Sequence, residues 1–243
     1  MPRFPVPPSA VRGDDIRLTG RDVRHIVTVL RLGVGDVLDV LLPDGTRASA
    51  EIVSVAPGEV RARVFRREGP VPEPRAKVVL AQAIPKGQRM DLIVRAASEL
   101  GVAELVPLVT KRTVVRLEAE RRMQRVQRWQ RIAAEAQKQC ERAKPLRVRD
   151  VVPLGELLAE VRGAERAVAF ASEGQEKLEA ALGPVEQGPV LLVVGPEGGF
   201  DRQELEDLRR AGAALASLGP RTLRSETAAI VACALTMHHL GEM

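Results

Sequence analysis

Two glycine-rich stretches near the end of the chain have the residue types and spacing to hold a small organic ligand through the main chain. Gly195-Pro196-Glu197-Gly198-Gly199-Phe200 follows the apolar run 190–194, and Leu218-Gly219-Pro220-Arg221-Thr222-Leu223-Arg224-Ser225-Glu226-Thr227-Ala228 follows the run 214–218. Residues without a Cβ allow positive φ and a close approach of backbone N–H and C=O groups to a ligand. Each run reads as a buried strand and each loop opens a helix. Asp201 is the N-cap of the first helix with Glu204 as its capping-box partner, Gly212 stops that helix near Ala211, and Ser225 is the natural N-cap of the second. One such loop is most often an ordinary strand-to-helix turn. Two in succession predict adjacent strand ends on one edge of an α/β sheet, the edge where ligands bind.

The elements that must position these loops alternate. Residues 78–83 read as a strand, 89–100 as a helix stopped by Gly101, and 103–109 as a strand, with a long basic helix after them. Strand-like 147–152, helical 154–161, strand-like 167–171 and helical 176–182 lead to the two loop-bearing strands, and 226–240 forms the last helix. This alternation predicts an α/β domain with a mostly parallel sheet. Ahead of it, 37–42, 48–55 and 60–65, divided by Pro43-Asp44-Gly45 and Pro57-Gly58, read as strands of a small β-barrel, with a short helix over 22–31. The prolines of Gly69-Pro70-Val71-Pro72-Glu73-Pro74 make a stiff linker. The expected boundaries are 1–70 for the barrel, 71–74 for the linker and 75–243 for the α/β domain.

Charge is concentrated in one stretch. The chain carries +5 overall, but 111–149 holds 13 Lys and Arg against four acidic residues, a local +9 that leaves −4 for the rest. At helical spacing Met123, Val126, Trp129, Ala133, Ala136 and Cys140 fall on one side, with Arg121, Arg125, Arg128 and Arg131 largely on the other. A solvated helix face has the same pattern. The scarcity of compensating acids favours a polyanion partner. Aromatic residues are only 2% of the chain and tyrosine is absent, which argues against a surface that stacks many bases. Phosphate contacts and RNA shape should then dominate affinity.

Other classes are disfavoured. Cys140 and Cys233 form neither a metal spacing nor a disulfide framework, as suits a reducing cytoplasm. His238 and His239 are neighbours and cannot face one ligand from a helix, so no metal is assigned. The start, Met1-Pro2-Arg3-Phe4-Pro5, lacks an apolar signal core, and no run reaches the roughly 18 apolar residues of a membrane span. A soluble, cytoplasmic protein with no membrane partner is expected. There is no Walker sequence, and no G-x-G-x-x-G follows the first strand of the large domain. The apolar run 228–235 in the last helix must be covered on all sides, inside one subunit or at a two-fold interface.

The two loops resemble the cofactor-binding region of the SPOUT methyltransferases, and specifically the family that methylates N3 of a uridine in bacterial 16S ribosomal RNA. Three further segments resemble the same family: His25-Ile26 with Val29-Leu30-Arg31 and Gly35-Asp36; Lys86-Gly87 with Arg89-Met90 and Glu99-Leu100-Gly101-Val102; and Glu135 with Gln139-Cys140 and Arg142. The likeness spans essentially the whole chain, five segments in the family's order. It implies a trefoil-knotted SPOUT domain, with the chain from about Gly195 onward threaded through an earlier loop, and a PUA-like barrel that helps hold RNA. It also implies a homodimer.

In that resemblance S-adenosylmethionine is enclosed by the main chain around Gly195, Pro196, Glu197, Gly198 and Gly199 together with Leu218, Gly219, Leu223 and Arg224, and Ser172 and Glu173 close a third side. The acceptor, N3 of uracil, is a poor nucleophile until its proton is removed. Arg224 would stabilise the developing anion and Glu226 would accept the proton, against the alternatives of a structural ion pair for Arg224 and a first-turn helix acid for Glu226. His25, Arg31, Arg121, Arg125, Arg128 and Arg142 would contact RNA. The sequence also admits two other functions: a non-catalytic ribosome assembly factor, and a SPOUT methyltransferase acting on transfer RNA.

Overall fold

Residues 3–113, 119–171, 176–186 and 188–243 are described by the computed structural model. They divide into two units, Met1–Glu73 with Gln137–Lys144, and Pro74–Ala136 with Pro145–Met243.

Alternation of apolar and polar residues builds the first unit. Its strands are β1 (Phe4–Pro5), β2 (Val11–Arg12), β3 (Asp15–Thr19), β4 (Val37–Leu41), β5 (Thr46–Ala56) and β6 (Glu59–Pro70), in the order β1-β4-β5-β6-β3-β2. All pairs are antiparallel except β1 with β4. Ile16 and Leu18 of β3 and Val60, Ala62 and Val64 of β6 point inward and join Phe4, Ile26, Leu38 and Ile52 in one core. Each such large apolar side chain contributes about 1.5–3 kcal/mol on burial. The helix expected over 22–31 is a single turn, α1 (Arg21–Arg24), widening into a π-type turn over His25–Val29.

The second unit is a wholly parallel sheet among the described residues. Its elements are β7 (Val78–Ala83), α2 (Arg89–Glu99), β8 (Glu104–Val109), α3 (Ala119–Cys140, whose last four residues belong to the first unit), β9 (Arg147–Val148), β10 (Val152–Pro153), α4 (Leu154–Gly163), β11 (Arg166–Phe170), β12 (Glu176–Lys177), α5 (Leu178–Leu182), β13 (Val190–Val194), α6 (Arg202–Arg210), β14 (Ala214–Ser217) and α7 (Ser225–His239). The strand order is β10-β8-β7-β13-β11-β14-β12, with β9 also on β8. Helices cover both faces, so β7 and β13 are buried along their whole length.

Two expected elements differ. The strand over 147–152 is two short strands that pair separately with β8. The helix over 176–182 yields its first two residues to β12, which pairs with β14 and satisfies backbone groups at that edge. On α3, Val126, Trp129, Ala133 and Ala136 are buried as expected, whereas Met123, a turn before the first covered residue, is 59% exposed.

Gly101 ends α2 with φ +87, and a Cβ there would lie 2.8 Å from Pro74 Cγ and 3.0 Å from Met237 Cε. Left-handed strain and overpacking together make Gly101→Ala cost about 2–4 kcal/mol. Urea unfolding should show that loss; a loss below about 1 kcal/mol would mean that the contact relaxes freely.

Candidate functional site

Parallel register sets the site. Phe170 of β11 pairs with Val194 of β13 on one side and with Ala216 of β14 on the other, so the chain leaves all three strands on the same edge. The sequence predicts adjacent strands for the two glycine-rich loops; instead β11 lies between them. Order along the chain does not reveal such a crossover. The loop leaving β11 begins at Ala171, whose N–H donates to Ala216 O at 3.1 Å. Ser172 and Glu173 lie outside the described residues.

The loop after β13 is held tightly. A Cβ on Gly195 would lie 3.2 Å from the buried Phe200 ring, and Gly199, at φ +68, donates its N–H to Pro196 O. Pro196 is buried, while Glu197, Gly198 and Gly199 are exposed. From the β7–α2 side, the Lys86 N–H and Arg89 Nη1 donate to Glu197 Oε1 at 2.9 and 2.7 Å. Burial alone would raise the Glu197 carboxyl; the backbone N–H groups of Lys86 and Glu197 and the charge of Arg89 outweigh it and hold it below its ordinary value. From the β8–α3 side, Arg112 Nη1 donates to Gly198 O at 2.8 Å and Lys111 N–H donates to Glu204 Oε1 at 2.7 Å.

The expected capping box is formed. Asp201 Oδ1 accepts from Gln203 N–H at 3.0 Å, and Glu204 Oε2 accepts from Asp201 N–H at 2.8 Å. Lys111 Nζ, 3.0 Å from Asp201 Oδ1, lowers the Asp201 carboxyl and is itself raised by that contact. Sequence reasoning gives Lys86, Arg89, Lys111 and Arg112 no role in the site. The available signal is their position in the segments that follow β7 and β8, up to the first residue of α2, since those strands end on the same edge.

The second loop is more open. Gly219, at φ +106, is exposed, and a Cβ there would meet nothing within 4 Å. Leu218 and Leu223 are half-buried, and Leu218 packs on the core. Arg224, not Ser225, is the N-cap residue of α7: its carbonyl accepts from Ala228 N–H at 2.8 Å and its side chain is exposed. Ser225 turns inward instead, its Oγ donating to Gly195 O at 2.8 Å. Glu226 places Oε1 3.5 Å from Arg89 Nε, while its Oε2 is buried without a hydrogen-bond partner among the described residues. One edge of the sheet thus joins main-chain donors and acceptors, an exposed guanidinium and a partly sheltered carboxylate.

The basic residues are more scattered. Arg121 and Arg128 are exposed on α3 and Arg125 is half-buried; Arg128 is bound to Asp91 at 2.5 Å. In the first unit Arg31 is exposed at φ +57, and half-buried His25 meets the Phe4 ring edge-on at 5.6 Å. Arg142 is buried, with its Nη2 2.9 Å from Glu73 Oε2. Cys233 is a core residue whose thiol burial pushes up to about 12.

Comparison with known proteins accords with this geometry. A family model described as an RNA methyltransferase domain matches residues 72–237, and one described as an RNA methyltransferase PUA domain matches 18–65. Ribosomal RNA small subunit methyltransferase E of Bacillus subtilis is 34% identical, with 88% of this chain and 86% of the relative covered. The protein of the same name from Mycobacterium bovis is 35% identical, over 86% of this chain and 80% of its own. The crystal structure of ribosomal RNA small subunit methyltransferase E from Neisseria gonorrhoeae bound to S-adenosyl methionine is 28% identical, with a TM-score of 0.86 over 98% of this chain and 97% of that one. With its PUA domain, its parallel-sheet domain and relatives matched over most of their length, the chain belongs to the RNA methyltransferase family that includes ribosomal RNA small subunit methyltransferase E.

Proposed function

We propose that the protein transfers a methyl group from S-adenosylmethionine to N3 of a uridine in 16S ribosomal RNA. The observation that carries this is the convergence, on one edge of a parallel sheet, of the backbone-rich loops after β13 and β14 with Arg224 and Glu226 at the start of α7.

The residues present fit such a donor. The Cβ positions of Gly199 and Gly219 face open space, as a close main-chain approach to an adenosyl group requires. Gly195, Pro196, Glu197, Gly198 and Gly199, with Leu218, Gly219, Leu223 and Arg224, would hold it by backbone hydrogen bonds and apolar contact, and Ser172 and Glu173 are assigned to the third side. When bound, S-adenosylmethionine supplies an electrophilic methyl group on a sulfonium. The exposed Arg224 guanidinium holds the negative charge that develops on the uracil as N3 loses its proton. Glu226, whose Oε1 lies 3.5 Å from Arg89 Nε, is assigned as the proton acceptor. Fixing base and methyl group in line is the remaining task, to which the tightly held loop after β13 contributes.

RNA is assigned to His25 and Arg31 of the barrel and to Arg121, Arg125 and Arg128 of α3, with Arg142 acting through the Glu73 segment it binds. The proposed domains are the barrel over 1–70, the linker 71–74 and the methyltransferase domain over 75–243, knotted from about Gly195 onward. A homodimer is supported by α7: Ala229, Ala232, Cys233 and Met237 are buried, yet Leu235 is 42% exposed and Val231 and Ala234 are half-buried in a single chain. A ribosomal RNA substrate implies a cytoplasmic enzyme; among the described residues no helix is long and apolar enough to cross a membrane.

Incubation of the protein with small ribosomal subunits and labelled donor should yield 3-methyluridine on nucleoside mass spectrometry. Label in a ribose-methylated nucleoside, or none at all, would refute the assignment. Arg224→Ala should lower kcat by about 100-fold or more and leave donor affinity nearly unchanged. Unaltered turnover in that variant would remove Arg224 from the mechanism.

A further inference from the structure

Gln82 is a fully buried amide in β7, a strand whose other five residues are Val, Leu and Ala. It sits in register with Val194, the residue before Gly195. Its Nε2 donates to Ala83 O at 2.7 Å and to Ser225 Oγ at 3.0 Å, with Gly195 O at 3.5 Å. Ser225 Oγ in turn donates to Gly195 O at 2.8 Å. The directions are fixed by chemistry: the two carbonyls can only accept, so the nitrogen must face them, and a hydroxyl that gives its hydrogen to Gly195 must accept from Gln82. A chain of hydrogen bonds therefore runs from β7 through the first residue of α7 to the first residue of the loop after β13.

The other end of this amide has no partner. Gln82 Oε1 is buried and unpaired among the described residues. For packing alone, an apolar side chain would be the better occupant, because a half-satisfied buried amide weakens a core. What the amide provides and an apolar side chain cannot is a defined orientation of the Gly195 carbonyl relative to the start of α7. We propose that Gln82 is a positioning residue for methyl transfer, which through Ser225 locks the donor-binding loop at Gly195 to the helix start that presents Arg224 and Glu226. This rests on the assignment of that edge as the S-adenosylmethionine site.

The test uses Gln82→Leu, Ser225→Ala, the double variant and Ser225→Thr in the full chain. Amide hydrogen exchange in the ligand-free protein should rise about tenfold in both 195–200 and 225–229 for each single variant, and no further in the double, because one chain of bonds has been cut in either case. Calorimetry should show S-adenosylmethionine binding weakened about tenfold in the same three variants and near wild type in Ser225→Thr, which keeps the hydroxyl. Unchanged exchange in both segments for Ser225→Ala, a variant too mild to unfold the domain, would overturn the proposal. So would losses that multiply in the double variant, or thermal destabilisation with binding intact. Failure of the wild type to bind the donor would instead refute the assignment of the edge, since the exchange readout needs no ligand.

Discussion

The arrangement depends on strand register. Because β7, β13, β11 and β14 are all parallel, with Gln82, Val194, Phe170 and Ala216 in one row, the chain leaves all four strands at one edge. A shift of one residue at β13 would exchange the side chains that face the two apolar cores on either side of it, and each core would have to repack. Packing against both cores thus holds the register, and the register brings the loops together.

Register alone leaves loops free to move, and polar contacts restrain them unequally. The loop after β13 is held by Lys86 and Arg89 on one side and by Lys111 and Arg112 on the other, and it runs into a capped helix. Exposed ion pairs contribute only about 0–1 kcal/mol each. Their effect here is geometric: Glu197 and Gly198 are tied through backbone atoms as well as charges. The loop after β14 has few such restraints beyond Ser217, which accepts from Gly219 N–H and donates to Gly219 O. A rigid loop beside a freer one suits a site that must grip one ligand and admit another.

Much of this was legible in the sequence where local rules are strong. The runs 78–83 and 190–194 announced buried parallel strands, Asp201 with Glu204 announced a capped helix, and Gly101 announced a stop. What escaped were contacts between residues distant along the chain. Ser225 has the chemistry of an N-cap, but Gln82 and Gly195, 143 and 30 residues away, claim its hydroxyl. Nothing local to Arg142 encodes its pairing with Glu73, 69 residues away. The place of β11 between the loop-bearing strands is likewise a crossover that no local pattern encodes.

The central claim is that the loops leaving β11, β13 and β14 together enclose the methyl donor. A crystal structure of the protein grown with S-adenosylmethionine tests it most directly. Density for the adenosyl group between the main chain at 195–199 and at 218–223 is the expected result; density elsewhere on the molecule, with these loops untouched, would contradict it.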